Sequence, residues 1–366
     1  DAGTGEPLVG ANVVVVGTSM GAATNVAGEY TILNIPAGTY TLKTSYVGYQ
    51  SITISNVRVN NDLTTETNFQ LPAEGVTVGT VEIIAERPMI NKSATNAVRI
   101  IDSDFFSRVP ARGVNTAIAI QPGVVVQGGN VYIRGGRPDE VGFKVEGVTT
   151  TSVLSGGNAL YTTAEAVEQI QVQAGGFSAE YGGANAGLVQ TQLRTGSPEA
   201  WKISVLAETD RYSSYGSKSL GGYSYGYSDV TATFGGPLLG RTLRFFGAVQ
   251  NTFYRDPSVA VREPYEFTNL ITDPVLTPAH PDDALRDTIP YVSVGGNALG
   301  GFNNRWAYTG TLLLDLGSLQ VRGARSYSTV ESRNQTAFGG YINQNRLGLN
   351  KSYDGFGNLK LTYVMN

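Results

Sequence analysis

Residues Gly17-Thr18-Ser19-Met20-Gly21 carry the Gly-x-Ser-x-Gly spacing that in a hydrolase lifts a serine hydroxyl onto a strained strand-to-helix turn. That chemistry also needs a base, and the only histidine in the 366 residues is His280, far along the chain. The segment "AATNVAGEY" that follows has no amphipathic helical pattern, so a turn between strands is expected around Ser19. His280 with Asp282, Asp283 and Asp287 offers one imidazole and three carboxylates, but in no distinctive ligand spacing, and a solvated loop is expected there. A single histidine excludes a two-histidine zinc motif, and the absence of cysteine excludes thiolate nucleophiles, disulfides and cysteine-metal sites. Arg134 and Arg137 are expected to be internal salt-bridge partners. The tyrosines interleaved with small polar residues from Arg211 to Asp229 suit a membrane interface. No catalytic residue, cofactor or metal is assigned.

The elements that would position these residues are strands. Charged residues are only 15% of the chain, while it holds 46 glycines and 20 tyrosines. That balance suits turn-rich β structure, including strands with one face to lipid and one to a polar interior. A formal charge of -4 and the lack of a Lys/Arg run argue against nucleic acid. No run of about 18 apolar residues forms a transmembrane helix, which leaves barrel strands open. The opening "DAGTGEPLVGANVVVV" reads as a join into a strand, so processing or truncation upstream of Asp1 is expected.

Four segments follow from the pattern. Residues 1–72 alternate in short strands, Tyr40, Leu42, Thr44 and Tyr46 sharing one face, and predict a small β-sandwich. Residues 73–90 read as a linker whose "TVEIIA" is a strand without a hairpin partner. Residues 91–196 read as an α+β globule. It has a short helix in "DSDFFSRVP" capped by Asp102 or Ser103 and stopped at Pro110, a second in "VNTAIAIQPGV", and a capping box from Thr162 to Glu165. From Trp201 to Asn366 six long strands alternate short turns with long polar connections; Leu312, Leu314 and Leu316 oppose Thr311, Leu313 and Asp315, and Leu319 and Val321 oppose Gln320 and Arg322. This rhythm predicts the first strands of a transmembrane antiparallel β-barrel.

Ahead of these strands, "VEQIQVQAGGFSAEYGGANAGLVQTQLRTG" places five glycines within the thirteen residues from Gly175 to Gly187, around Tyr181. This stretch resembles the end of the plug domain of TonB-dependent outer-membrane receptors. "PGVVVQGGNVYIRGGRPDEVGFKVEGV" is similar to the plug's Pro-Gly-Val, Ile-Arg-Gly and Asp-Gly-Val series, with Arg134-Gly135, Glu146-Gly147 and Tyr181-Gly182 in place. Glu146 replaces the usual Asp and Lys144 a usual apolar residue, so the turn at Glu146 is expected to carry no fine-grained role. Thr80, Val81, Glu82, Ile83, Ile84 and Ala85 resemble a TonB box, and residues 1–72 resemble the carboxypeptidase-regulatory-like domain found before such plugs.

The resemblance implies a mainly β protein of the Gram-negative outer membrane with its N-terminal domain in the periplasm. It implies a non-enzymatic transporter drawing on TonB and its inner-membrane energising complex to take up an unidentified substrate, with room for a surface lipoprotein partner. A structural or adhesive surface protein built from the same modules is the alternative, and a secreted peptidase is disfavoured by the lone histidine. Six strands leave two open edges, so further strands beyond Asn366, or a second chain, are expected to complete the wall.

Overall fold

The computed structural model describes residues 1–60, 63–73, 81–84, 98–109, 113–152, 154, 156–175, 181–214, 217–219, 221–224, 226–255, 265–267, 291–293, 301–333 and 348–363. His280, Asp282, Asp283, Asp287, Pro110, Thr80 and Ala85 lie outside them.

The first domain is one sheet of β1 (Asn12–Val15), β2 (Gly21–Ala23), β3 (Gly38–Ser45), β4 (Ile52–Val59) and β5 (Val81–Ile84), in the order β2-β1-β3-β4-β5. Val15, Met20, Leu42, Ile52, Ile54 and Val57 form its core; Ile32, Ile35 and Phe69, outside the strands, pack on it. The second layer of the expected sandwich is therefore carried by extended segments. β5 corrects the expectation of an unpaired strand. Val81, Glu82, Ile83 and Ile84 pair in parallel with Ile52, Thr53, Ile54 and Ser55. Parallel pairing needs a long crossover and no tight turn, so nothing local in the sequence marks it.

The second domain runs through β6 (Val98–Asp102), α1 (Ser103–Arg108), α2 (Val114–Ala119), the hairpin of β7 (Val124–Gln127) and β8 (Asn130–Ile133), then β9 (Val141–Val145), β10 (Val148–Thr149), β11 (Val167–Gln173) and β12 (Gly187–Leu193). Asp102 caps α1 by accepting from the Phe105 N–H at 2.9 Å, as its sequence position suggests. At residues 162–165 the expected helix start is instead a single 3-10 turn, Ala164–Ala166, with no side-chain cap. The alternating Val167–Gln173 strand takes over immediately, leaving no room for a helix.

The main sheet, β10-β9-β12-β11-β6, has two unlike faces. Ile170, Val172, Val189 and Phe143 join Ile101, Ile118 and Ile133 in a buried apolar core with α1 and α2. The opposite face carries Gln169 and Gln171 paired with Gln192 and Gln190, and Gln190 in turn with Lys144. It faces the wall.

That wall is a six-stranded antiparallel meander of β13 (Lys202–Thr209), β16 (Ser228–Leu239), β17 (Leu243–Arg255), β20 (Phe302–Asp315), β21 (Leu319–Arg333) and β22 (Asn350–Tyr363). Two small antiparallel strand pairs stand in its connections, β14 (Lys218–Ser219) with β15 (Gly222–Tyr223) and β18 (Tyr265–Phe267) with β19 (Tyr291–Ser293). On β20 Ala307, Thr309, Thr311, Leu313 and Asp315 are buried on the inner face, whereas Trp306, Tyr308 and Leu312 are exposed on the outside. Apolar-out, polar-in alternation is what a barrel wall in lipid requires. The six described strands do not close on themselves.

Candidate functional site

Among the sequence-chosen residues, Glu146, Gly147 and Tyr181 converge on the seam between the second domain and the wall. Val145 pairs with Val148, and Glu146 (φ 52) with Gly147 (φ 82) forms the two-residue turn between them. Two successive positive φ values are the signature of the tight hairpin turn that matches strand twist. Glycine takes that conformation freely; glutamate does so rarely and is held by its side chain.

The hold is strong. Glu146 Oε2 accepts from Arg322 Nε at 2.7 Å and Oε1 from Arg322 Nη2 at 2.7 Å. Oε1 also accepts from the Leu193 N–H at 2.7 Å, and Arg322 Nη2 donates to the Leu193 carbonyl at 2.8 Å. Asn358 of β22 donates to the Glu146 carbonyl at 2.9 Å. The side chains of Glu146 and Arg322 are 4% and 10% exposed. A bidentate carboxylate–guanidinium pair out of water is the strongest kind of charged hydrogen-bonding unit a protein offers. The turn expected to carry no special role is thus the clamp that fixes the domain to the wall; the extra methylene of glutamate extends its carboxylate toward Arg322.

Further contacts seat the domain. The Arg305 guanidinium lies 4.0 Å over the Tyr161 ring, Tyr161 O–H donates to Gln250 Oε1 at 3.1 Å, and Thr311 Oγ1 donates to the Arg194 carbonyl at 2.6 Å. Arg134 (φ 50) and Gly135 (φ 77) stand apart from this seam, at the end of β8. The Arg134 N–H donates to the Gly123 carbonyl, and its Nη1 is 3.4 Å from where a Cβ on Gly175 would lie. Arg137 meets Asp139 and Glu140, the internal pairing expected of it. Gly182 makes no close approach. The glycine-rich stretch is explained at its ends. Gly175 and Gly183 have φ of 96° and 79°, and a Cβ on Gly187 would stand 2.5 Å from Ile133 Cδ1.

The first domain docks at the short-turn end of the wall. Ser19 Oγ donates to Asp315 Oδ1 at 2.8 Å, and Asp315 Oδ2 lies 3.9 Å from Arg244 Nη2. The Gly-x-Ser-x-Gly pattern is a docking turn. Arg58 of β4 reaches Glu168, Nη1 to Oε1 at 3.3 Å and Nη2 to the carbonyl at 3.3 Å. Burial pushes the Glu168 carboxyl above its ordinary range, and the Arg58 and Arg194 guanidinium groups pull against that shift.

Sequence reasoning missed Arg322, Arg305 and Tyr161. For Arg322 a signal existed: alternation on β21 puts it on the inward face with Gln320, where an unpartnered cation is costly.

Residues 1–83 match the family model of the CarboxypepD_reg-like domain, and residues 91–189 that of the TonB-dependent Receptor Plug Domain. The chain carries the plug of a TonB-dependent receptor. TonB-dependent transporter Oar of Myxococcus xanthus is 26% identical to this receptor chain over 270 residues, 67% of the chain and 25% of Oar. Among solved structures, the ferric enterobactin receptor PfeA of Pseudomonas aeruginosa is similar over 75% of this chain and 40% of its own, at 16% identity and a TM-score of 0.48. The ferripyoverdine receptor of the same organism's outer membrane is similar over 65% of this chain and 26% of its own, at 12% identity and a TM-score of 0.44. The receptor chain spans about a quarter of the length of the curated relative it matches. It is an outer-membrane protein of the Gram-negative kind, its first domain at the short turns that face the periplasm.

Proposed function

We propose that the receptor imports a solute across the outer membrane in a TonB-driven cycle, with Thr80 to Ala85 as the TonB box and no enzymatic step of its own. The observation that carries this reading is the plug fixed to the inner wall by the buried Glu146–Arg322 pair. A plug held by a few charged bonds blocks the lumen at rest and is released by work done on it. TonB and its inner-membrane complex supply that work, and the substrate reaches the plug from the long-loop side.

The mode of engagement is strand addition. Within the described residues the first sheet ends at β5, which uses one edge on β4. A TonB strand adds to the other edge or takes the place of β4. Each backbone hydrogen bond nets about 0.5–1.5 kcal/mol, so a proline that deletes one and disturbs its neighbours removes most of a four-residue pairing. Ile83→Pro is expected to abolish crosslinking of the box to TonB while the receptor stays folded in the membrane. Unchanged crosslinking would reject the box.

A further inference from the structure

Between the glutamine face of the plug and the wall lies a cavity of about 280 Å³. Glu146 and Arg322 form one side of it; Lys144, Lys360, Tyr181 and the amides of Gln190 and Gln192 line the rest. Three cations therefore meet one carboxylate, and that carboxylate is already taken up by Arg322 in two hydrogen bonds. The Lys144 ammonium sits 4.6 Å over the Tyr181 ring, and neither it nor Lys360 has a carboxylate partner among the described residues. Gln190, on which the solvent-accessible surface is only 9%, ends in a buried Nε2 without a protein partner among the described residues, and Gln192 has a buried Oε1 in the same condition.

Such groups need a polar occupant, because a buried donor left unpaired costs free energy that a hydrogen-bonding guest restores. The Lys144 and Lys360 ammonium groups, neither with a carboxylate partner among the described residues, and the unpaired Gln190 Nε2 donor favour a negatively charged guest. Lysines act on oxyanions as point charges, and a partly enclosed site screens them less than open water does. The cavity is near the low end of the range for small-molecule sites and suits one small polar group. Arg322 and Lys360 are paired across β21 and β22, and Arg322 stands three residues beyond Leu319, where β21 leaves its short turn. The cavity thus lies toward the periplasmic mouth of the seam.

We propose that this cavity binds an oxyanion, the carboxylate or phosphate group of a small solute passing between plug and wall. The identification of that solute as cargo rests on the transport reading; the binding itself does not.

The test is calorimetric titration of the purified full-length receptor, without TonB, with inorganic phosphate and separately with citrate at fixed ionic strength. Wild type is expected to bind at least one of them, and the preferred anion tells phosphate from carboxylate cargo. K144Q/K360Q is expected to bind about tenfold more weakly or worse, the factor that accompanies loss of about 1.4 kcal/mol. K144R/K360R, which keeps both charges, should retain binding and confirms that the fold tolerates change at these positions. Binding of neither anion by wild type, or equal affinity in K144Q/K360Q, would overturn the proposal. Because titration needs no energised membrane, these outcomes leave the crosslinking result for Ile83→Pro untouched, and a failed box assignment leaves the binding result standing.

Discussion

Removing the Glu146 carboxylate should loosen the plug far more than removing an ordinary surface charge. In Glu146→Ala three things happen together. Arg322 loses both carboxylate bonds while remaining buried at 10% side-chain exposure, the Leu193 N–H loses its acceptor, and the cavity is left with three cations and no anion. Breaking a buried ion pair by deleting one partner costs about 3–5 kcal/mol, most of it the penalty of the stranded charge. At about 1.4 kcal/mol per factor of ten, the local opening equilibrium of β9 and β12 should rise by roughly 10²–10⁴. Native-state hydrogen exchange on the full-length receptor reads this directly as lost protection in those strands, with barrel strands remote from the plug as an internal reference. A second variant isolates the cause. Glu146→Ala with Arg322→Met removes the stranded charge, and replacing both members of a buried pair is far milder than breaking it. If Glu146→Ala changed protection by less than about 0.5 kcal/mol, the range of an ordinary surface substitution, the clamp would carry no weight and the reasoning would fail.

Glycine positions in the plug should separate sharply: Gly187→Ala places a Cβ 2.5 Å from Ile133 Cδ1 and 3.1 Å from the Gln173 carbonyl, whereas Gly182→Ala meets nothing within 4 Å. The first is expected to cost about 1–3 kcal/mol of plug stability and the second to stay within about 0.5 kcal/mol, by hydrogen exchange. Glu168 should give a pH signature: with its folded pKa raised, the folded state keeps a proton that the unfolded chain has lost, so its contribution to stability falls as pH rises from the ordinary carboxylate range through the raised value. Glu168→Gln should flatten that part of the melting-temperature profile, and an identical profile in the variant would contradict the assignment.

Much of this was legible residue by residue. Asp102 was one of two cap candidates and is the one used, the alternation at Leu312 to Asp315 marked two unlike faces of β20, and the glycines around Tyr181 marked turns and close approach. What stayed hidden has a common physical form. The partner of β5 lies 29 residues upstream in parallel register, Val81 on Ile52, and leaves no turn signature. Arg322 and Glu146 are 176 residues apart, so each appears in the sequence only as a charge on an inward face or an oddity in a turn. Thr162 to Glu165 shows the opposite failure: a local capping pattern was present, and the strand pairing of Val167–Gln173 overrode it.

The parallel register of β5 on β4 also decides how that junction yields to a pull. Drawn sideways, an edge strand peels from its neighbour one rung at a time, and each rung gives way at low load. Drawn along its own axis, the same strand loads its four rungs together, and they hold until all fail at once. Ser19 on Asp315 and Arg58 on Glu168 pin the sheet to wall and plug, so it resists swivelling into the easier, peeling orientation. A tether along β5 would therefore meet a stiff joint first and slack afterwards, so the first sheet would act as a mechanical fuse for any load applied there.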